Sequence, residues 1–218
     1  MGSKYCQTWT VMTGDSTKRA RGRPKTFDRE RVIDTAMDCY WRDGTDGVSL
    51  NDLCRRASVS KPGVYREFGG EDGLMDAVHA RYADVALRPM LDQIAQDRPF
   101  ADVLAALVGS MTEPDRSKPA GCLLVKMCML SSRLGPVTQA RVDALRDQLR
   151  ATYGRWVDQA RERGEITTDV STEVVAAFID TQFMTLLTQM TLGEDPQSLR
   201  AQAALAFAGL TGGAGESM

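Results

Sequence analysis

From Asp28 onward, apolar residues recur at helical spacing. Val32, Ile33, Ala36, Met37 and Tyr40 fall on one face of a helix that Asp43-Gly44 brings to an end. Leu50, Leu53, Cys54 and Ala57 form a second, shorter stripe. A long helical stretch is predicted from Leu74 to about Ile94. Pro99, Pro114, Pro119, Gly135-Pro136, Gly164 and Asp195-Pro196 then cut the remainder into further helical pieces. No segment alternates with the period of a strand, and no internal repeat is visible. The pattern predicts an all-α fold of about nine helices. Residues 1–26 and 211–218 carry no period and are expected to form a flexible arm and a flexible tail.

The stretch 49-SLNDLCRRASVSKPGVYREF-68 carries the most information. Ser49 followed by Asp52 has the form of a capping box, so a helix starts there and its stripe ends at Ala57. Ser58-Val59-Ser60 is a short turn, and Ser60 is placed to cap the next helix. Pro62 falls in a first turn, where backbone N–H groups are unpaired in any case. Gly63 lets another backbone come close. The resulting helix, 61–68, spans only about two turns and needs packing to persist, through Val64 and Phe68 against Leu50, Leu53 and the first helix. Two short helices joined by a tight turn describe a helix-turn-helix, whose second helix enters the DNA major groove. Lys61 can meet phosphate, Tyr65 and Arg66 offer hydrogen bonds, and the helix N-terminus attracts an anion. Pro62 and Val64 complete the predicted recognition helix, while Ser49 and Ser60 hold helix starts and can donate to phosphate. The competing reading is a helical hairpin inside a core.

Charge changes the picture. The chain is nearly neutral at −2, but residues 1–70 hold 13 Lys and Arg against 9 Asp and Glu, and residues 71–218 hold 14 against 20. A basic front end on an acidic body points to an anionic partner at one end. Five of the cations lie in 18-KRARGRPK-25, where Gly and Pro disfavour a competing helix. Arg21, Arg23 and Lys25 are candidate DNA contacts of an arm that follows phosphates or enters the minor groove. A solvated tail is the alternative.

Residues 22–82 resemble the TetR/AcrR family of transcriptional repressors. The resemblance rests on the opening 22-GRPKTFDRE-30, the aromatic pair Tyr40-Trp41, the Gly-containing break before 49-SLNDL-53, then 59-VSKPGVYREF-68 and 73-GLMDAV-78. The segment 120-AGCLLV-125 also resembles one found in some members. What the resemblance implies is a homodimer with an N-terminal three-helix DNA-binding domain, 27–73, and a larger ligand-binding and dimerisation domain, 74–210. The chain departs from the pattern at Arg66-Glu67, where many members carry a second aromatic or His. It departs again at Gly70-Glu71, where many carry Ser-Lys, and one implied phosphate contact is lost there.

The body supplies pocket material without a label on it. Its methionines and aromatics at helical spacing are either plain core or the walls of a cavity, and the resemblance implies that some line a cavity. The candidates are Met111, Cys122, Lys126, Met127, Trp156, Phe183 and Leu187. Cys122, following Pro119 and Gly121, is expected in the first turn of a helix, where a thiol pKa falls. It is either an electrophile- or redox-sensing thiol or a small buried residue. The last two helices, about 171–192 and 196–209, are the expected dimer surface, through Val175, Phe178, Ile179, Gln182, Leu186 and Leu205. Two-fold symmetry then implies a near-palindromic operator.

No enzyme motif emerges. The single histidine, His79, has no second His or Cys pair at ligand spacing, and neither a phosphate-binding loop nor a dinucleotide fingerprint is present. No metal, no cofactor and no membrane span is expected. Five scattered cysteines and the lack of a leader-like apolar segment fit a cytoplasmic protein. The sequence reading is a ligand-responsive DNA-binding regulator that a small molecule releases from its operator. The alternatives are a cysteine-based sensor with the same DNA-binding mode and a DNA-binding adaptor whose body binds a protein.

Overall fold

The computed structural model describes residues 27–113, 119–130 and 133–210. The predicted arm with Arg21, Arg23 and Lys25, and the predicted tail 211–218, lie outside the described residues. Ten α-helices follow in order: α1 Arg29–Asp43, α2 Leu50–Ala57, α3 Lys61–Phe68, α4 Glu71–Tyr82, α5 Arg88–Ile94, α6 Phe100–Thr112, α7 Leu123–Met129, α8 Pro136–Glu162, α9 Thr172–Leu192 and α10 Pro196–Phe207. A π-turn, Ala83–Leu87, joins α4 to α5 in one rod, so the described residues hold nine helical rods and no strand. Pro89 explains the π-turn. It has no N–H to return one turn back, and the wider turn relieves its ring of the preceding carbonyl.

Local chemistry sets the first three helices. Asp28 accepts from the Arg31 N–H at 3.1 Å and starts α1. Ser49 accepts from the Asp52 N–H at 3.2 Å and starts α2. The Asp52 carboxylate does not reach back to the backbone as a full capping box requires. It accepts from the Ser49 hydroxyl at 2.7 Å and pairs with Arg55 at 2.6 Å. Ser58 closes α2 in the left-handed region, with φ of 56°. Ser60 accepts from the Gly63 N–H at 3.2 Å and opens α3, which Gly69 ends. Gly63 is close-packed, but against a ring rather than a backbone: a Cβ there would sit 3.1 Å from Phe27.

The core is continuous from α1 to α10. Helices α8 and α9 pack along each other, and α4 lies against both α1 and α8. In the body Phe100 stacks on Trp156 at 4.3 Å, and Phe183 meets Tyr153 and Phe207 at 5.8 Å each. The α4–α8 contact is polar at its N-terminal end. Helix α8 has no cap from its own side chains. The Asp72 carboxylate fills that place from α4, accepting from the N–H groups of Val137 and Thr138 at 3.0 Å each and from the Thr138 hydroxyl at 2.6 Å. Burial opposes its charge, but these three bonds prevail and hold the Asp72 carboxyl below its ordinary value. Gly135 makes the approach possible, because a Cβ there would lie 2.3 Å from the Asp72 carboxyl carbon. One turn on, Arg141 forms a bidentate pair with Asp76, one arm at 3.1 Å.

His79 follows on the same face of α4. It is fully buried, and neither ring nitrogen has a partner among the described residues. Burial, then the charge of Arg141, push its pKa down to about 4, against the opposing charge of Asp76. The ring is therefore neutral when folded. Unfolded chains take up a proton below about pH 6.5 that the folded state refuses until about pH 4. Stability falls across that window as pH falls, by ~3 kcal/mol at most. His79→Leu removes the titrating group and two unpaired nitrogens at similar volume. Denaturant melts at several pH values are expected to show unchanged or slightly higher stability at pH 7, with a flatter loss between pH 6.5 and 4.

Candidate nucleic-acid interface and internal cavity

Helix α3 has two faces of opposite character. Gly63 and Val64 are buried, and Lys61, Pro62, Tyr65 and Arg66 are exposed. The helical period puts these four on one stripe beginning at the capped N-terminus, with no acidic residue in the first turn. Partial positive charge from free N–H groups is concentrated at that end. Tyr65 is 51% exposed, and its ring leans over Gly70, where φ of 136° suits only glycine. Arg66 pairs with Glu67 at 3.2 Å, so the acid is drawn sideways along the helix.

Val64 corrects the sequence reading. It is 1% exposed and belongs to the core, so its side chain backs α3 from within and is not on the exposed face where it was expected. Helix α3 packs mainly on α4 and less on α2, so its chief support is not the first helix. Ser49 and Ser60 stand at the helix starts as predicted, with their hydroxyl oxygens engaged as caps.

Two supports escaped the sequence reading. Arg31 donates to the Ala57 carbonyl at 3.2 Å, placing a cation at the C-terminal end of α2. Phe27 meets the Phe68 ring at 6.1 Å, and the Arg29 guanidinium lies 5.1 Å over that same ring. An aromatic immediately before the Asp28 cap was the available signal for the second.

In the body, α7, α8 and α9 enclose a small cavity of about 40 Å³ with the π-turn and α6. Of the predicted ligand residues, Met111, Cys122, Phe183 and Leu187 line it. Lys126, Met127 and Trp156 do not. Cys122, Val125 and Cys128, three apart along α7, face the cavity with Leu124, which turns Lys126 away toward α1. Lys126 donates to the Trp41 carbonyl instead. Met127 is fully buried in the core, and Trp156 is occupied by Phe100. Residues not singled out beforehand include Met90, Cys128, Leu149 and the half-buried Arg146. Asp180 also lines the wall and pairs with Arg150 at 3.5 Å.

Cys122 is the N-cap of α7, one residue before the first turn. Its thiol is pushed up by burial. That outweighs the Tyr82 hydroxyl at 3.1 Å and the N–H groups of Val125 and Leu124, which favour the thiolate. The expected depressed pKa is overturned because the site is enclosed. Among the described residues, no three His, Cys, Asp or Glu side chains cluster as a metal site, and no helix is long and apolar enough to cross a membrane.

The last helices also need correction. Val175, Ile179 and Leu186 are buried within the protomer, because the helical period turns them inward. They are unavailable to a partner. Phe178 and Gln182 are half-exposed, and Leu205 is 80% exposed.

Comparison with known proteins settles the lineage. Residues 32–78 match the family described as bacterial regulatory proteins, tetR family, and residues 101–206 match the tetracyclin repressor-like C-terminal domain. The HTH-type transcriptional repressor ComR of Escherichia coli K12 is 32% identical over 178 residues, covering 78% of this chain and 83% of that protein. The chain belongs to the TetR family. It is a TetR-family transcriptional regulator with that family's DNA-binding fold. The repressor BdcR of the same organism is 26% identical over 117 residues, 53% of this chain and 59% of that one. A cysteine-substituted form of the TetR family regulator CifR, solved with a 26-base-pair operator duplex, superposes with a TM-score of 0.72 at 25% identity. That match covers 85% of this chain and 97% of CifR. Reduced E. coli NemR shares the fold, with a TM-score of 0.70 at 18% identity over 82% of this chain and 94% of NemR.

The two faces of α3 separate in a stability measurement. Val64→Ala is expected to cost about 2 kcal/mol by loss of buried apolar volume. Tyr65→Ala is expected to stay within ~0.5 kcal/mol of the parent. Urea melts of the two variants check this.

Proposed function

We propose that this TetR-family protein is a homodimeric repressor that binds a near-palindromic operator and is released by a small molecule held in its body. The observation that carries this reading is the exposed stripe Lys61, Pro62, Tyr65 and Arg66 at the capped start of a helix backed by buried Val64. Such a helix presents cationic and hydrogen-bonding groups to a duplex while its other face is fixed. Ser49 and Ser60 cap two helix starts and are offered as further contacts to phosphate. CifR, which shares the fold, carries operator DNA. Residues 27–73 serve as the DNA-binding head and 74–210 as the ligand-binding and dimerisation body. The preceding arm adds Arg21, Arg23 and Lys25 as contacts to phosphate or the minor groove.

The partner surface lies on α9 and α10, through Phe178, Gln182 and Leu205, with Val174 as a further exposed apolar residue. Two copies related by a two-fold axis place their recognition helices in successive major grooves, roughly 34–36 Å apart. The effector site is the cavity lined by Met111, Cys122, Phe183 and Leu187. A ligand there acts only to the extent that it binds the DNA-competent and incompetent states differently. The expected location is the cytoplasm.

A cysteine-sensing variant of this reading has one observation in its favour, the Tyr82 hydroxyl on the Cys122 sulfur. Unchanged DNA affinity after alkylation of Cys122 sinks that variant and leaves the rest standing.

Selection from a random duplex library is expected to return a site with two-fold symmetry. In fluorescence anisotropy on that duplex, Lys61→Ala with Tyr65→Ala should weaken binding at least ~10-fold, about 1.4 kcal/mol, with the melting temperature unchanged. Neutralising Arg21 and Arg23 should lower the slope of log affinity against log salt by about two. An asymmetric site, or parental affinity in the double variant, overturns the reading.

A further inference from the structure

The small cavity in the body has a neighbour. Between the α4–α5 rod and α8 runs a surface groove of about 700 Å³. Leu87 and Leu149 line both the groove and the cavity, so two buried leucine side chains stand between the two spaces. The spaces differ in character. The cavity is chiefly apolar and rich in sulfur, with Met90, Met111, Cys122, Cys128 and Met184 in its walls. The groove presents Asp84, Arg88, Asp92, Gln148, Thr152 and Arg155. Its charges are balanced. Arg88 pairs with Asp84, and Arg141, also in the groove wall, pairs with Asp76. The other two, Asp92 and Arg155, are one of each sign, and Arg155 donates to the Thr152 hydroxyl at 2.9 Å. Gln148 and Thr152 flank Leu149 on α8 with uncharged donors and acceptors.

The partition is firm on one side and soft on the other. Leu149 lies midway along the 27-residue α8. Leu87 ends the π-turn, where the Arg88 N–H reaches back five residues to the Ala83 carbonyl. Pro89 has no N–H to give to the Val85 carbonyl, so the rod is short of helical bonds just there. Val85 and Pro89 are exposed, and no packing braces the turn from outside. A cavity of about 40 Å³ holds a few waters at most. An organic occupant needs an entrance, and room for the part of it that does not fit. The groove beyond Leu87 and Leu149 offers both.

We propose that the cavity and the groove are two compartments of one binding site, joined by movement of Leu87 away from Leu149 at the π-turn. Its ligand is an uncharged amphipathic molecule. The apolar end lies among the sulfurs of the cavity, and a hydrogen-bonding end, such as an amide, carbonyl or hydroxyl, stays in the groove. A charged head of either sign would leave water for a groove whose charges already answer one another. This deepens the reading of the cavity as the effector site and rests on it.

The test uses Cys122 as a reporter, because its sulfur is buried in the cavity wall. Its rate of modification by methyl methanethiosulfonate is read by peptide mass, with no DNA present. Failure here is separate from failure of the effector reading, which shows only in duplex affinity. Leu149→Ala, or Leu87→Ala if the first fails to fold, should raise the rate at least ~10-fold by opening the partition. Leu187→Ala removes the same volume from a cavity wall away from the groove, and should stay within ~3-fold of the parent. Pro89→Ala restores the missing N–H at an exposed position and should slow the reaction at least ~3-fold. Reagents carrying a sulfonate or a trimethylammonium group then probe the Leu149→Ala protein, each rate being divided by that on a free small thiol. The two charged reagents should agree within ~3-fold and fall at least ~10-fold below the uncharged one. Parental rates in both leucine variants, or an equal rise in Leu187→Ala, overturn the entrance. An unchanged rate in Pro89→Ala overturns the hinge. A charged reagent that matches the uncharged one, or a strong preference for one sign, overturns the ligand class.

Discussion

A helix of seven or eight residues cannot hold its shape in water, because its nucleation cost outweighs the few hydrogen bonds it gains. Both α3, the candidate recognition helix, and α7, which walls the cavity, are of that length. Their shape and direction are therefore borrowed. Helix α3 borrows from α4 and α2 through Val64, from the Ser60 cap, and from the Phe27 ring against Gly63. Helix α7 borrows from α9, α8 and α1. An element that depends on its neighbours moves when they move, which suits a regulator better than a self-supporting helix would.

Helix α4 joins the two halves, packing on α3 and α1 on one side and on α8 on the other. Asp72, Asp76 and His79 lie at successive turns on the face that meets α8, and Asp34 on α1 takes Arg81 at 3.0 Å from another side. Asp72 meets residues 137 and 138, and Asp76 meets Arg141, so the two helices run in the same sense at that contact. Polar contacts of this kind fix register: a slip of one turn would unpair two carboxylates and an arginine at once.

The caps, the turn and the two-turn helix were legible because they are local, with every deciding residue within four positions of its partner. Ser49, Ser60 and the Gly69 stop needed nothing beyond the stretch itself. Val64 was misplaced at the DNA although its packing role was also readable: it lies four residues before Phe68, on the stripe that must face inward. Lys126 was misplaced for a different reason. In the apolar run Leu123–Met129 every face looks buried, and which one meets the cavity is fixed by contacts some 85 residues away, such as Lys126 with Trp41. Helix α9 is apolar on most sides, so inward Ile179 and outward Phe178 read alike. The π-turn, the Asp72 cross-cap and the enclosure that raises the Cys122 pKa all depend on tertiary proximity and leave no periodic trace.

The Asp72–Thr138 contact also constrains how this protein can be rebuilt. A head transplanted onto an unrelated body carries off the carboxylate that caps the longest helix of the old one, and a body given an unrelated head inherits two bare amides and a glycine shaped for an absent guest. Chimeras spliced between α3 and α4 keep the pair together. Those spliced after α4 split it, and every hybrid made that way carries a frayed seam.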